Sequence, residues 1–298
     1  RMGELGDPVS MFKDIPDNVV YSFKNTDGDF RIANQFDSVF VGSRHPGRQI
    51  IEFDAWREYE GHNYFPCYMG DIWSPRFKKL NELGIKRIAV RLNWNSGKNQ
   101  IFDHLWGNYV NIYTFLEMAK NPVKNPDIIL NDFIRSYFPE KVWGEVFKLY
   151  KQSLLFQDKI FNFHGMYLAH HSRLLKDKAA VAEKLNDFQK SGFLLDKDEY
   201  HVQRKVIEDA YLQIDQLLEK IQDAVPEWAA ELRKGALTEK LIALGIIDQM
   251  EIVFCIQNGM LPGKELLSEI KLRAAMWQNL DSESYTDMRG NMVLALLK

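Results

Sequence analysis

The chain has 298 residues, of which 46% are hydrophobic and 13% aromatic, so it can bury the core of one large domain or of two. Its formal charge of −3 provides no overall attraction for nucleic acid or for an anionic membrane, and no apolar run is long enough to span a bilayer. The two cysteines, Cys67 and Cys255, match no metal or redox spacing. We expect two free thiols, no nucleic-acid or membrane partner and no cofactor; the sequence does not identify a compartment.

Three apolar, β-branched runs break abruptly into charged residues and predict three strands, Val19–Lys24, Gln49–Asp54 and Arg87–Trp94. Between the last two, the sequence predicts a helix over Ser74–Leu83, closed by Gly84 as a left-handed cap. The strand–helix–strand order favours parallel pairing. Because parallel α/β barrels carry their chemistry where the strands end, we expect the charged residues to line one rim.

From about residue 100 the pattern is that of helices only. The predicted helices are Asn108–Lys120, Pro126–Tyr137, Lys141–His171, Ala179–Leu194, Tyr200–Ala224, Glu227–Gln257 and Gly263–Leu280. We therefore predict two domains, an α/β part over residues 1–122 and an all-helical bundle over residues 123–298.

The first candidate site follows the first strand, where Lys24 and Asp29 flank an Asp-Gly turn. A cation and a carboxylate in one loop can hold a charged or hydroxyl-rich ligand, whereas a plain β-turn stabilised by Asp27 explains the same residues. No third ligand at a suitable offset supports a calcium site.

The second candidate is an acidic cluster with two arginines near it, comprising Glu52, Asp54, Glu58 and Glu60 with Arg48 and Arg57. Glu52 and Asp54 would share one face of a strand. Their repulsion is costly unless cations pair with them or one of them is protonated. A salt-bridged surface loop is one interpretation. The apolar residues around the acids favour another, in which at least one carboxylate points into a barrel mouth and acts as an acid or base.

The third candidate, after the third strand, comprises Asn93, Trp94 and His104. The tryptophan can stack on a sugar ring and the histidine can bond a hydroxyl, although a packed structural histidine is the commoner case. His170 and His171 are adjacent on a predicted helix and point in different directions, so we predict no metal site there. The sequence contains no nucleophile elbow, phosphate loop or dinucleotide fingerprint.

In this order, the segments resemble the C-terminal half of the family 67 α-glucuronidases, which are glycoside hydrolases. That family has N-V-I-I-Q-x-K-N-G-P-x-D-F where residues 18–30 read NVVYSFKNTDGDF, and E-F-Q-x-x-Q-E-Y-x-G where residues 52–61 read EFDAWREYEG. Its A-N-L-Y-x-F segment is matched by VNIYTF at residues 110–115. The resemblance covers roughly residues 18–140.

The resemblance implies the last strands of a (β/α)8 TIM-type barrel followed by a C-terminal helical domain, and inverting hydrolysis of a glycosidic bond to a uronic acid. In this scheme Lys24 binds the uronate, and Asp29 and Glu58 activate water. The other residues that we expect to contact substrate are Glu52, Asp54, Arg57, Asn93, Trp94 and His104. The family's general acid is a Glu on an earlier strand and has no counterpart in this sequence. We therefore expect the rest of the barrel from a preceding segment or a partner copy, and no hydrolysis by this polypeptide alone.

Two non-enzymatic alternatives stay open at this point. The chain can be a carbohydrate-binding or scaffolding protein that keeps a degenerate barrel without its acid. It can also be a helical interaction module over residues 123–298, with an α/β part that is only structural.

Overall fold

The structure is a computed structural model that describes residues 16, 18–26, 30–32, 46–92, 107–168, 170–193 and 195–297. Contacts divide the chain into two compact units, the first made of Arg1–Glu58 and Pro66–Leu154, the second of Tyr59–Phe65 and Leu155–Lys298. The predicted domain boundary after residue 122 lies inside the first unit. Because compactness alone does not define a domain, that boundary stays a prediction.

The first unit contains a parallel sheet of three strands in the order β1 (Tyr21–Lys24), β2 (Gln49–Asp54) and β3 (Ile88–Arg91). The register places Lys24 opposite Glu52 and Asp54 opposite Arg91. Parallel pairing is therefore confirmed, and β2 has the predicted bounds. Three strands are too few to close a barrel, so the barrel belongs to the proposal below.

The helices of the first unit are α1 (Gly70–Glu82), α2 (Tyr109–Lys120), α3 (Pro126–Tyr137) and the first part of α4 (Trp143–Phe161), with short 3₁₀ turns at Pro46–Arg48 and Glu140–Val142. Helix α3 begins and ends where predicted, because Asn125 caps it by accepting the Asp127 N–H at 2.8 Å. Helix α1 begins four residues before the predicted Ser74, with Pro75 inside it.

The core of the first unit explains that earlier start. Phe53 of β2 packs against Trp73 and Phe77 of α1, with ring centroids 5.6 and 4.7 Å apart. Burial of Trp73 therefore outweighs the hydrogen bond that Pro75 cannot donate. Along β2, Ile51 and Phe53 face this core, whereas Glu52 lies on the opposite, half-exposed face.

The prediction of a single helix over Lys141–His171 is wrong. Helix α4 ends at Phe161 and is followed by a two-stranded antiparallel hairpin, β4 (Asn162–Phe163) and β5 (Met166–Tyr167). The hairpin turn is His164-Gly165, and both residues have positive φ, 49° and 75°. Two left-handed residues in succession are what a tight two-residue hairpin requires, and they cannot continue a helix.

The rest of the second unit is helical, as predicted. After a 3₁₀ turn at His170–Ser172, its helices are α5 (Lys178–Lys190), α6 (Lys197–Ile221), α7 (Pro226–Gln257), α8 (Lys264–Leu280), α9 (Ser282–Asp287) and α10 (Asn291–Ala295). Helix α7 is buried on nearly every side along its C-terminal half, which makes it the central helix of this unit. No helix within the described residues combines the length and apolarity needed to cross a membrane.

The segment Tyr59–Phe65, which follows Glu58 directly, belongs to this helical unit. Glu239 of α7 accepts the Phe65 N–H at 2.8 Å, and Ser172 accepts the Gly61 N–H at 3.0 Å. Gly61 has φ of 76°, and a Cβ there would lie 1.7 Å from the Glu239 carboxyl oxygen, so only glycine fits. Complete burial raises the pKa of Glu239 well above its usual value.

A buried ionic cluster joins three helices of the second unit. Asp248 on α7 is 1% exposed and binds Arg204 of α6 and Arg273 of α8, at 2.9 and 2.8 Å to the same oxygen. A carboxylate buried to this extent is tolerated only because both guanidinium groups form ion pairs with it.

We predict that Asp248→Ala destabilises the helical unit by about 1–3 kcal/mol, because two partly buried guanidinium groups lose their shared partner and keep only Glu251 and Glu269. Urea unfolding followed by far-UV circular dichroism measures the effect. The matched control is Asp209→Ala on the exposed face of α6, for which we expect a change within about 0.5 kcal/mol. Equal stability of the two variants would contradict a central role for the cluster.

Candidate active site

The carboxyl-terminal ends of the three parallel strands bring charged residues to one edge of the sheet. Lys24 ends β1, Asp54 ends β2 and Arg91 ends β3, and Glu52 lies opposite Lys24. Parallel strands point the same way, so these ends coincide by topology. The sequence had predicted Lys24, Glu52 and Asp54 for this edge but had not assigned Arg91 to it.

Asp54 organises the turn that leaves β2. Its two carboxylate oxygens accept the main-chain N–H groups of Trp56 at 3.1 Å and Glu58 at 3.2 Å. Asp54 is 1% exposed, so its visible role is to orient the backbone of Glu58. Its predicted contact with substrate stays a prediction.

Arg57 shapes the same turn. Its backbone is left-handed, with φ of 66°, and its guanidinium donates to the Phe30 carbonyl at 3.0 Å. A non-glycine residue in this region costs on the order of 1 kcal/mol and persists only where its surroundings hold it. Glu58 therefore follows directly on a residue with a left-handed backbone.

Glu58 is the most perturbed group at this edge. Its side chain is 1% exposed, and its Oε1 lies 2.8 Å from Nη1 of Arg91. Burial, and next the charge of Asp54, raise its pKa to about 7, while the cations Arg91 and Lys24 act in the opposite direction. A carboxyl group with such a pKa exchanges its proton near neutral pH, as a general acid or base must.

Two cations share the ring of Phe30. The Lys24 ammonium lies 4.7 Å and the Arg91 guanidinium 4.8 Å from the ring centroid. Phe30 is 2% exposed, so the ring offers both cations an enclosed aromatic face. The chain after β1 therefore returns to the ends of β1 and β3.

Side chains behind this edge hold the strand ends in place. Asn25 donates to the Glu52 carbonyl at 3.1 Å and accepts a short hydrogen bond from Arg76 of α1. Burial lowers the pKa of Arg76 to about 10. Neither Asn25 nor Arg76 was predicted, because only the packing of α1 against the sheet reveals their pairing.

Two asparagines of the α2 region hold the turn after β2. Asn108 donates to the Trp56 carbonyl at 3.1 Å and accepts the Cys67 N–H at 2.7 Å. Asn111 accepts the Met69 N–H at 2.9 Å and donates to the Cys67 carbonyl at 2.9 Å. Asn111 therefore ties α2 to the segment that precedes α1.

Several predicted site residues lie outside the described residues. These are Asp29, Asn93, Trp94 and His104. The structure therefore brings together Lys24, Glu52, Asp54, Arg57 and Glu58 from the predicted set, and the positions of the other four stay predictions.

The structure also describes the remaining residues that the sequence analysis considered, the histidine pair and the two cysteines. His171 lies in a 3₁₀ turn instead of the predicted helix, and its ring stacks on Tyr59 at 4.7 Å. Among the described residues, no group of three His, Cys, Asp or Glu side chains could hold a metal ion. Cys67 and Cys255 are free and buried, as expected.

A groove of about 880 Å³ lies on the helical unit, lined by charged residues of α6, α7 and α8. Its lining mixes both signs, and Arg204 pairs with Glu251 at 2.6 Å within it. Because acidic and basic side chains are mixed in its lining, the groove points to no single class of ligand.

The raised pKa of Glu58 predicts a pH dependence of stability. Glu58 retains its proton in the folded state up to about pH 7, whereas the unfolded chain releases it near pH 4.5. The resulting stabilisation is complete below pH 4.5 and is lost as pH rises through about 7. Its upper bound is on the order of 3 kcal/mol.

Glu58→Gln should remove this component, so the free energy of unfolding of the variant should fall less between pH 4.5 and pH 7.5 than that of the wild type. Urea unfolding across this range measures the difference, with Glu82→Gln, at a carboxyl 64% exposed, as the control. Parallel pH profiles for the wild type and Glu58→Gln would show that burial does not perturb Glu58.

No protein-family model matches the sequence, and no curated protein matches it. The similarity to family 67 α-glucuronidases therefore rests on the order and spacing of the motifs alone. What the chain does has to be argued from the chemistry at the end of the sheet.

Proposed function

We propose that this chain contributes to the active site of a glycoside hydrolase that releases a uronic acid or a related sugar with inversion, with Glu58 as the general base. The observation that carries the proposal is an enclosed carboxyl group at the carboxyl-terminal edge of a parallel sheet, with its pKa raised to about 7. Parallel α/β folds carry their chemistry at this edge.

In the proposed reaction Glu58 accepts a proton from a water molecule while the water oxygen attacks the anomeric carbon. The bond from that carbon to the leaving oxygen breaks, and a general acid protonates the departing oxygen. An inverting pair of carboxyl groups lies about 6.5–9.5 Å apart to leave room for the water. Asp29 is proposed as a second carboxylate that orients this water, and neither step needs a metal ion or a cofactor.

Substrate recognition is assigned to the same edge. Lys24 is half-buried at the end of β1, on the same edge of the sheet as the turn that carries Glu58, so its ammonium suits the carboxylate of a uronic acid. Asn93, Trp94 and His104 are proposed to contact the sugar ring. In this scheme β1, β2 and β3 are the last strands of a (β/α)8 barrel, and the general acid lies on another strand of that barrel.

One observation favours a second function, that of a carbohydrate-binding protein without catalysis. The Glu58 side chain is 1% exposed and forms an ion pair with Arg91, which is also the arrangement of a purely structural carboxylate. A protein of this kind would bind the sugar and leave it intact. The first experiment below separates the two functions.

We predict that Glu58→Gln lowers kcat by about 10²–10⁴-fold, because the base that activates water is lost. The assay uses α-D-glucuronyl fluoride and the intact protein, since fluoride departs without protonation and the result does not depend on the general acid. Proton NMR of the first product should show the β anomer. Glu82→Gln serves as the control, with unchanged kcat.

Wild-type turnover by Glu58→Gln would contradict the assignment of the base. A wild-type protein that binds glucuronate in calorimetry but releases no fluoride would instead support the non-catalytic function.

We predict that Lys24→Gln raises the KM for α-D-glucuronyl fluoride by about 10- to 100-fold, which is the value of one charge-assisted hydrogen bond. Turnover of α-D-glucosyl fluoride, which lacks the carboxylate, should change much less, because the loss of Lys24 affects it only through the pKa of Glu58. Lys79→Gln, on the exposed face of α1, is the matched control. An equal loss for both substrates would mean that Lys24 does not recognise the uronate.

A further inference from the structure

We propose that Arg91 is a positioning residue for Glu58, whose guanidinium fixes the orientation of the Glu58 carboxylate and favours its ionised form. The inference rests on the proposed function and deepens it, because it adds to the base a residue that the sequence analysis did not assign to the site. The contacts involved all lie within the first unit.

The guanidinium of Arg91 bridges two carboxylates. Its Nη1 lies 2.8 Å from Oε1 of Glu58, and its Nε donates to Oε1 of Glu52 at 3.2 Å. Arginine presents its donors in a rigid planar fork, so holding one carboxylate also sets the direction of the other donors. The hydrogen bond to Glu52 therefore orients the guanidinium, whose Nη1 lies beside the Glu58 carboxyl group.

Two further contacts restrict Arg91. The guanidinium carbon lies 4.8 Å from the centroid of the Phe30 ring, which gives the planar group a face to stack on. The Arg91 carbonyl accepts the Ala55 N–H at 3.0 Å and ties the end of β3 to the turn that carries Glu58. The side chain is 15% exposed, so water competes little for its donors.

The charges around Glu58 explain why such a residue is needed. Asp54 of β2 repels the Glu58 carboxylate, and burial disfavours its charge further. Arg91 of β3, ahead of Lys24 of β1, opposes both effects and lowers the pKa of Glu58 toward neutrality. Burial lowers the pKa of Arg91, but the charges of Glu58, Asp54 and Glu52 outweigh it, so Arg91 stays protonated. Without Arg91, Glu58 would hold its proton at neutral pH and could not accept one from water.

The test is a carbon NMR titration of the Glu58 carboxyl in the intact protein, with the signal assigned by its absence in Glu58→Gln. We expect Arg91→Gln to raise the midpoint of the Glu58 titration by about 1–3 pH units, the effect of removing an opposite charge at this distance. The matched control is Arg87→Gln, which removes the same charge from the exposed start of the same chain segment. Its midpoint should stay at the wild-type value.

An unchanged midpoint in Arg91→Gln, or equal shifts in Arg91→Gln and Arg87→Gln, overturns the inference. Arg91→Lys decides the matter if Arg91→Gln does not fold, because lysine keeps the charge but cannot span both carboxylates. A raised midpoint in Arg91→Lys supports the inference, and a wild-type midpoint overturns it.

Activity separates this inference from the proposed function. If Glu58 is the base, the acid limb of the kcat/KM profile moves to higher pH together with the midpoint in Arg91→Gln. If the midpoint shifts in Arg91→Gln but the wild-type protein releases no fluoride, Arg91 is confirmed as the residue that controls the ionisation of Glu58. The proposed function is then overturned.

Discussion

The enclosed carboxyl group of Glu58 is the constraint on which the organisation of the first unit depends. Burying a carboxylate whose side chain is 1% exposed costs free energy unless a cation pairs with it or it is protonated. The protein does both in part, because Arg91 forms an ion pair with Glu58 while burial and Asp54 raise its pKa to about 7. In the proposed function this balance allows Glu58 to take up and release a proton near neutral pH.

The neighbouring parts of the chain serve to keep this balance fixed. Asp54 accepts the Glu58 N–H, and Arg57 just before it has a left-handed backbone. From the other side, Asn108 holds the Trp56 carbonyl. Asp54 and Asn108 bond main-chain atoms of the turn, and the Arg57 guanidinium bonds the Phe30 carbonyl. The geometry of the turn is therefore over-determined, as expected where a strained residue persists.

The parts of the fold and of the site that could be predicted from the sequence are those whose sequence pattern lies within a few consecutive residues. Strand β2 and helix α3 have their predicted bounds because alternating burial in one, and an Asn-Pro-Asp start in the other, lie within a few residues. The hairpin after α4 was missed because the apolar spacing continues through it and only His164-Gly165 interrupts it. The role of Arg91 was missed because it depends on the pairing of β2 with β3, which places Asp54 opposite Arg91. The closed barrel and the identity of the sugar are predicted from the family resemblance alone.

The most direct test of the account is a crystal structure of the intact protein with glucuronic acid bound. The account predicts the sugar at the carboxyl-terminal edge of the sheet, with its carboxylate about 3 Å from the Lys24 ammonium and one water between Glu58 and the anomeric carbon. A sugar bound elsewhere, or a Glu58 sealed from the ligand by Arg91, would contradict it.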